Sequence, residues 1–136
     1  MRRRRIVSKK WQEYNPSIKD KCDKIAGLIA NEFGEKTVKC YAGSYSFMFK
    51  SNGSTKTVAK LIPQYEYGED AILVAFTDVA DNAEAFAKKI DSFVESVEIG
   101  VYGEPFSASK MKESEDINCA ASIIIEFVKS NMGWSF

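Results

Sequence analysis

The sequence predicts an α+β fold: a two-layer sandwich in which three helices cover a mostly antiparallel sheet of four or five strands. Three observations predict it. Apolar residues recur every three or four positions over residues 18–33, alternate with polar ones from residue 37 onward, and return to helical spacing in two later stretches. Strands that follow one another locally, then a helix leading back to a strand, favour an antiparallel sheet with helices packed on it. The expected order is α-β-β-β-(β)-α-β-α.

The first helix is announced by its cap. Asn15 or Ser17 supplies the side-chain acceptor, Pro16 suits the first turn, and Asp20 stands three residues after Ser17 as in a capping box. Ile18, Cys22, Ile25, Ile29 and Phe33 form one face, and Gly34 ends the helix. Val38, Cys40 and Ala42 then alternate with polar neighbours. After Gly43, so do Tyr45, Phe47 and Phe49. Asn52-Gly53 is a hairpin signal, because both central positions of its turn want positive φ. Thr55 to Ile62 reads as the returning strand, stopped by Pro63, with a polar loop from Gln64 to Asp70.

Ala71 to Thr77 is apolar at every position but the last, the pattern of a central strand covered on both faces. Asp78 or Asp81 is then expected to cap a second helix whose face is Phe86, Ile90, Phe93 and Val97. Glu98 to Tyr102 reads as a short strand, and Gly103 to Glu113 as a loop or, alternatively, a weak edge strand around Ser107 to Met111. Ser114 or Asp116 opens a third helix reaching Met132, with a broad apolar face of Ile117, Ala120, Ala121, Ile124, Phe127 and Val128, and Gly133 as its stop.

The chain has 136 residues, the size of one domain, and divides as a basic arm over 1–15 and a single α+β domain over 16–136. Its 19 basic and 19 acidic residues cancel, yet they are sorted. Residues 1–60 carry 14 basic and 5 acidic side chains, a net +9, and residues 61–136 carry the reverse, a net −9. Arg2, Arg3, Arg4, Arg5, Lys9 and Lys10 put six of the cations on the arm, where they suit phosphates or clustered carboxylates. Trp11 and Tyr14 add flat surfaces for stacking. The opposing expectation is a tail that folds back on the chain's own acidic half.

Several chemistries are excluded by composition. With no His there is no imidazole base for a Ser or Cys nucleophile and no mixed His/Cys zinc site. Cys22, Cys40 and Cys119 are too widely spaced for a thiolate metal site or a disulfide framework and read as reduced thiols. Glu66, Glu69 and Asp70, with Asp78 and Asp81 nearby in sequence, offer oxygen ligands but lack the alternate spacing of a calcium loop; a solvated turn and helix capping account for them. No metal, cofactor or catalytic residue is assigned. The apolar h-region of a signal peptide is missing after Arg5, and no apolar stretch has membrane-spanning length, so a cytoplasmic protein is expected, or a nuclear one in a eukaryote.

The element order resembles, in outline, two families: the PD-(D/E)xK nuclease core and the chaperone fold of type III secretion. The nuclease pattern implies an acid two residues before a strand lysine, because two carboxylates hold the metal and the lysine steadies the attacking water. Lys60 ends the expected strand, but Val58 stands where that acid belongs.

What remains is an interaction module without catalytic chemistry (an adaptor, inhibitor or subunit of a larger assembly) that binds a protein or nucleoprotein partner through surfaces of opposite charge. The arm residues Arg2–Arg5, Lys9, Lys10 and Trp11 are its expected anion contacts. Glu66, Glu69 and Asp70 are its expected acidic partner surface. Nucleic-acid binding through the arm is the first alternative, and a small enzyme using carboxylates or Cys40 the second. A second copy of the chain is a further candidate partner, since the third helix is more apolar than one sheet face requires. No membrane contact is expected.

Overall fold

The computed structural model of the chain describes residues 4–6, 9–51, 53–66, 69–90, 92–99, 103–111 and 117–131. Its architecture is α+β, with seven strands in one sheet against the four or five expected, and three helices. The first helix, α1, covers Pro16–Phe33. Asn15 caps it, its Oδ1 accepting the Ser17 N–H at 3.0 Å, and Gly34 ends it at φ +101°. Four residues of the expected stripe are buried, and Phe33 meets Phe49 edge-on at 5.3 Å.

Strands β2 (Val38–Cys40), β3 (Tyr45–Ser51), β4 (Ser54–Glu66) and β5 (Glu69–Thr77) follow as an antiparallel meander. Ser51 pairs with Ser54, and Gly53 between them has φ +81°. Between Phe47 and Met48 the register shifts, so that Val58 is the extra residue of a bulge. Pro63 does not stop β4. Pairing with β3 reaches only to Leu61, so beyond it β4 is an edge, where the N–H that proline lacks is not needed.

The second half departs further from expectation. Helix α2 is short, Ala83–Ala87, and strand β6 already begins at Ser92 and runs to Ile99. Phe93 and Val97 therefore belong to a strand, which a spacing of four residues fits as well as it fits a helix. Asn82, rather than Asp78 or Asp81, takes the N-cap position, and Asp78 Oδ1 accepts the Ser107 hydroxyl at 2.6 Å. Of the two readings of the next segment the strand holds, but β7, Glu104–Met111, is longer than expected and lies inside the sheet between β6 and β5 rather than at its edge. Helix α3 covers Ile117–Ser130; its expected caps at Ser114, Asp116 and Gly133 lie outside the described residues.

Residues 1–15 were expected to hold no element, yet Arg4–Ile6 forms strand β1, paired in parallel with Val97–Ile99 of β6. Trp11–Glu13 adds a turn of 3-10 helix. The strand order is β1-β6-β7-β5-β4-β3-β2, antiparallel at every step except the first.

Both sheet faces are apolar. Phe47, Phe49, Ala59, Leu61, Ile72, Val74 and Phe76 face the helices and share one core with them. On the opposite face Ile62, Leu73, Ala75, Val97, Ile99, Phe106 and Ala108 form a second cluster with Ile6, none of them more than 6% exposed. The broad apolar face of α3 is used within the chain: Ile123, Ile124, Phe127 and Val128 are buried, and Phe127 packs on Phe76 and Phe86 at 4.8 and 5.3 Å. Among the described residues no helix is long and apolar enough to cross a membrane.

Candidate functional site

The expected site residues divide sharply. Arg2 and Arg3, and the side chains of Arg4, Arg5, Glu66 and Glu69, lie outside what the structure describes. The backbones of Arg4 and Arg5 are committed to β1. Lys9 and Lys10 are exposed. Trp11 is not free to stack: its indole N–H donates to the Tyr41 carbonyl at 2.7 Å, its ring tilts against Tyr45 at 5.8 Å, and Lys19 Nζ lies 5.4 Å from its centroid. Asp70 accepts the Asn15 N–H at 2.5 Å, tying the N-terminal segment to β5. Asp78 follows the other end of that strand, about 26 Å away at ordinary strand rise, so it does not join Asp70.

The polar side chains that do converge surround the tight turn between β2 and β3, where the Tyr41 N–H donates to the Ser44 carbonyl. On the helix side the Tyr45 hydroxyl donates to Asp23 Oδ1 at 2.6 Å, and the Lys19 ammonium donates to the same oxygen at 2.5 Å. Burial alone would raise the Asp23 carboxyl; these two hydrogen bonds and the lysine's charge outweigh it and hold the group below its ordinary value. The same contacts raise Lys19, and burial with the Asp23 bond pushes the Tyr45 phenol up. Cys22 is fully buried beneath, its thiol pushed up to about 12 by burial. Cys40 is exposed at the end of β2, with its sulfur 3.6 Å from the Tyr41 carbonyl.

The face turned away from the helices carries a different set. Cross-strand register aligns Lys39 of β2, Ser46 of β3 and Lys60 of β4 in one row, and continues it through Ala75 and Ala108. Directly opposed residues share a face with their Cβ atoms about 5 Å apart. Lys60 Nζ sits 5.8 Å from the centroid of Tyr41, whose ring is 45% exposed. Burial lowers the Lys60 ammonium below its usual range, and the Glu104 carboxylate offsets this only in part. The Ser46 Oγ is buried without a hydrogen-bond partner, as is Gln64 Nε2 two positions beyond Ile62 on the same strand.

Sequence reasoning missed this row because its members are far apart in the chain and the Val58 bulge sets their register. The alternation of β3 and β4 marks each as outward-facing without showing which neighbours align. Comparison with protein-family models, curated proteins and solved structures finds no match.

Proposed function

We propose that the chain is a non-enzymatic interaction module that meets its partner through a sheet divided by charge. The observation carrying this reading is the distribution of charge over the strands. β2, β3 and β4 as far as Gln64 bear Lys39, Lys50, Lys56 and Lys60 and no acid. β5, β6 and β7 bear Glu69, Asp70, Glu95, Glu98 and Glu104 against Lys110 alone. The sorting seen along the chain thus persists as two neighbouring regions of one sheet. Such an arrangement orients a partner of matching pattern and disfavours others, chiefly through association rate. A protein with an acidic patch fits the β2–β4 region.

The test is retention of partners from the native host at low salt, by the wild-type chain and by a Lys39→Glu, Lys50→Glu, Lys56→Glu variant. Loss of the same protein from the variant supports the reading. A partner held equally by both removes the β2–β4 region from the interface.

Direct nucleic-acid binding is a second reading, supported by the exposed, adjacent Lys9 and Lys10. Phosphate contacts need only cations, and each neutralised phosphate steepens the salt dependence. Binding to an oligonucleotide that is unchanged in a Lys9→Gln, Lys10→Gln variant would exclude these residues.

A further inference from the structure

We infer that the Lys39–Ser46–Lys60 row is a binding site for a phosphate-type oxyanion. Ser46 lies between the two lysines, opposed to Lys39 on β2 and to Lys60 on β4, with all three on the sheet face turned from the helices. Two ammonium groups and a hydroxyl between them supply the charge and the multidirectional donors that a tetrahedral dianion accepts. A carboxylate, with one negative charge and a planar pair of oxygens, matches two lysines less well.

Ser46 is the observation that separates this row from ordinary surface lysines. It is 1% exposed, and its Oγ has no hydrogen-bond partner in the protein. A buried hydroxyl without a partner is unfavourable and uncommon. The other buried serines of the sheet, Ser107 and Ser109, each have an acceptor for the hydroxyl, and the small positions without one, Ala59, Ala75 and Ala108, are alanine. Packing alone therefore gives no reason for a hydroxyl at Ser46. The position next to it in the row is Lys60, which has Ala75 opposed to it on β5, the Tyr41 ring face 5.8 Å from its ammonium, and Glu104 as the carboxylate that acts on it.

Access follows from the lysine itself. Lys60 is only half-buried, and its four-carbon stem opposes Ser46 directly. On this inference the stem turns outward to admit the ligand and brings the ammonium onto it. Lys39 is exposed and opposes Ser46 from the edge strand β2.

This inference does not rest on the proposed module and fails separately from it, because the probe is a small anion. Inorganic phosphate is titrated into the full-length protein at constant ionic strength, against chloride, with amide chemical shifts read by NMR. Saturable shifts at Ser46 and Lys60 that chloride does not reproduce are expected. Lys60→Gln should weaken binding roughly tenfold, the scale of one charge-assisted hydrogen bond. Ser46→Ala should weaken it several-fold while leaving the spectrum otherwise native, and Lys60→Arg should retain it. A phosphoserine peptide forms the second arm. Equal or weaker binding than inorganic phosphate assigns the site to free phosphate, and tighter binding assigns it to an esterified group. Shifts that chloride matches, or an affinity untouched by both Lys60→Gln and Ser46→Ala, would overturn the inference.

Discussion

Ile6 stands beside Ile99 in the parallel ladder that joins β1 to β6, and each side chain is 6% exposed. Three residues that look like the end of a basic tail therefore anchor one edge of the sheet. Replacing Ile6 by Ala is expected to cost about 2 kcal/mol, the lower end for a buried isoleucine because the position is at an edge. Urea denaturation of the variant and wild type measures it. A loss below a few tenths would show that β1 contributes nothing to the fold.

The second prediction concerns thiols. Cys22 is fully buried with its thiol pushed up to about 12, whereas Cys40 and Cys119 are exposed. At neutral pH an alkylating reagent should modify Cys40 and Cys119 first and reach Cys22 only on unfolding. Mass spectrometry with and without denaturant counts the adducts. The sign for stability follows: a thiol whose folded value lies above its unfolded one contributes fully below the unfolded value. That contribution is lost as pH rises from about 9 toward 12.

Asp23 gives the acid counterpart. Its folded carboxyl is held below 3.8 against the opposing effect of burial, so its contribution is present above that value and is lost as pH falls through the lowered one. The group is exposed, so Asp23→Asn should cost less than about 1 kcal/mol at neutral pH. The difference from wild type should shrink in acid. A difference that grows on acidification would contradict the assignment.

Phe127 connects the third helix to the sheet and to α2 through Phe76 and Phe86. Phe127→Ala should destabilise by about 3–5 kcal/mol. Phe127→Leu, which keeps most of the volume, should cost distinctly less. Thermal unfolding of both variants ranks them.

Sequence and structure agree where periodicity is local and one-sided. α1 shows a single stripe between a capping asparagine and a terminating glycine, and the β3–β4 hairpin is marked by its turn. The central place of β7 is masked in the sequence because its inward positions include Ser107 and Ser109, polar residues that normally signal exposure and so suggest an edge. Both are buried here because Asp78 and the Ala87 carbonyl accept their hydroxyls. β1 was hidden because three residues carry no period and the partner lies far along the chain. The lysine–serine row was illegible for a related reason: each residue is an unremarkable outward position until neighbouring strands fix which ones align.

The pairing of Ile6 with Ile99 also imposes an order of assembly. A strand made at the beginning of synthesis cannot be placed until residues 97–99 exist, whereas the β2–β5 meander needs only its near neighbours. Closing so long a loop is entropically costly, so the edge is expected to form last in folding. The sheet thus receives its first-made strand as its final piece.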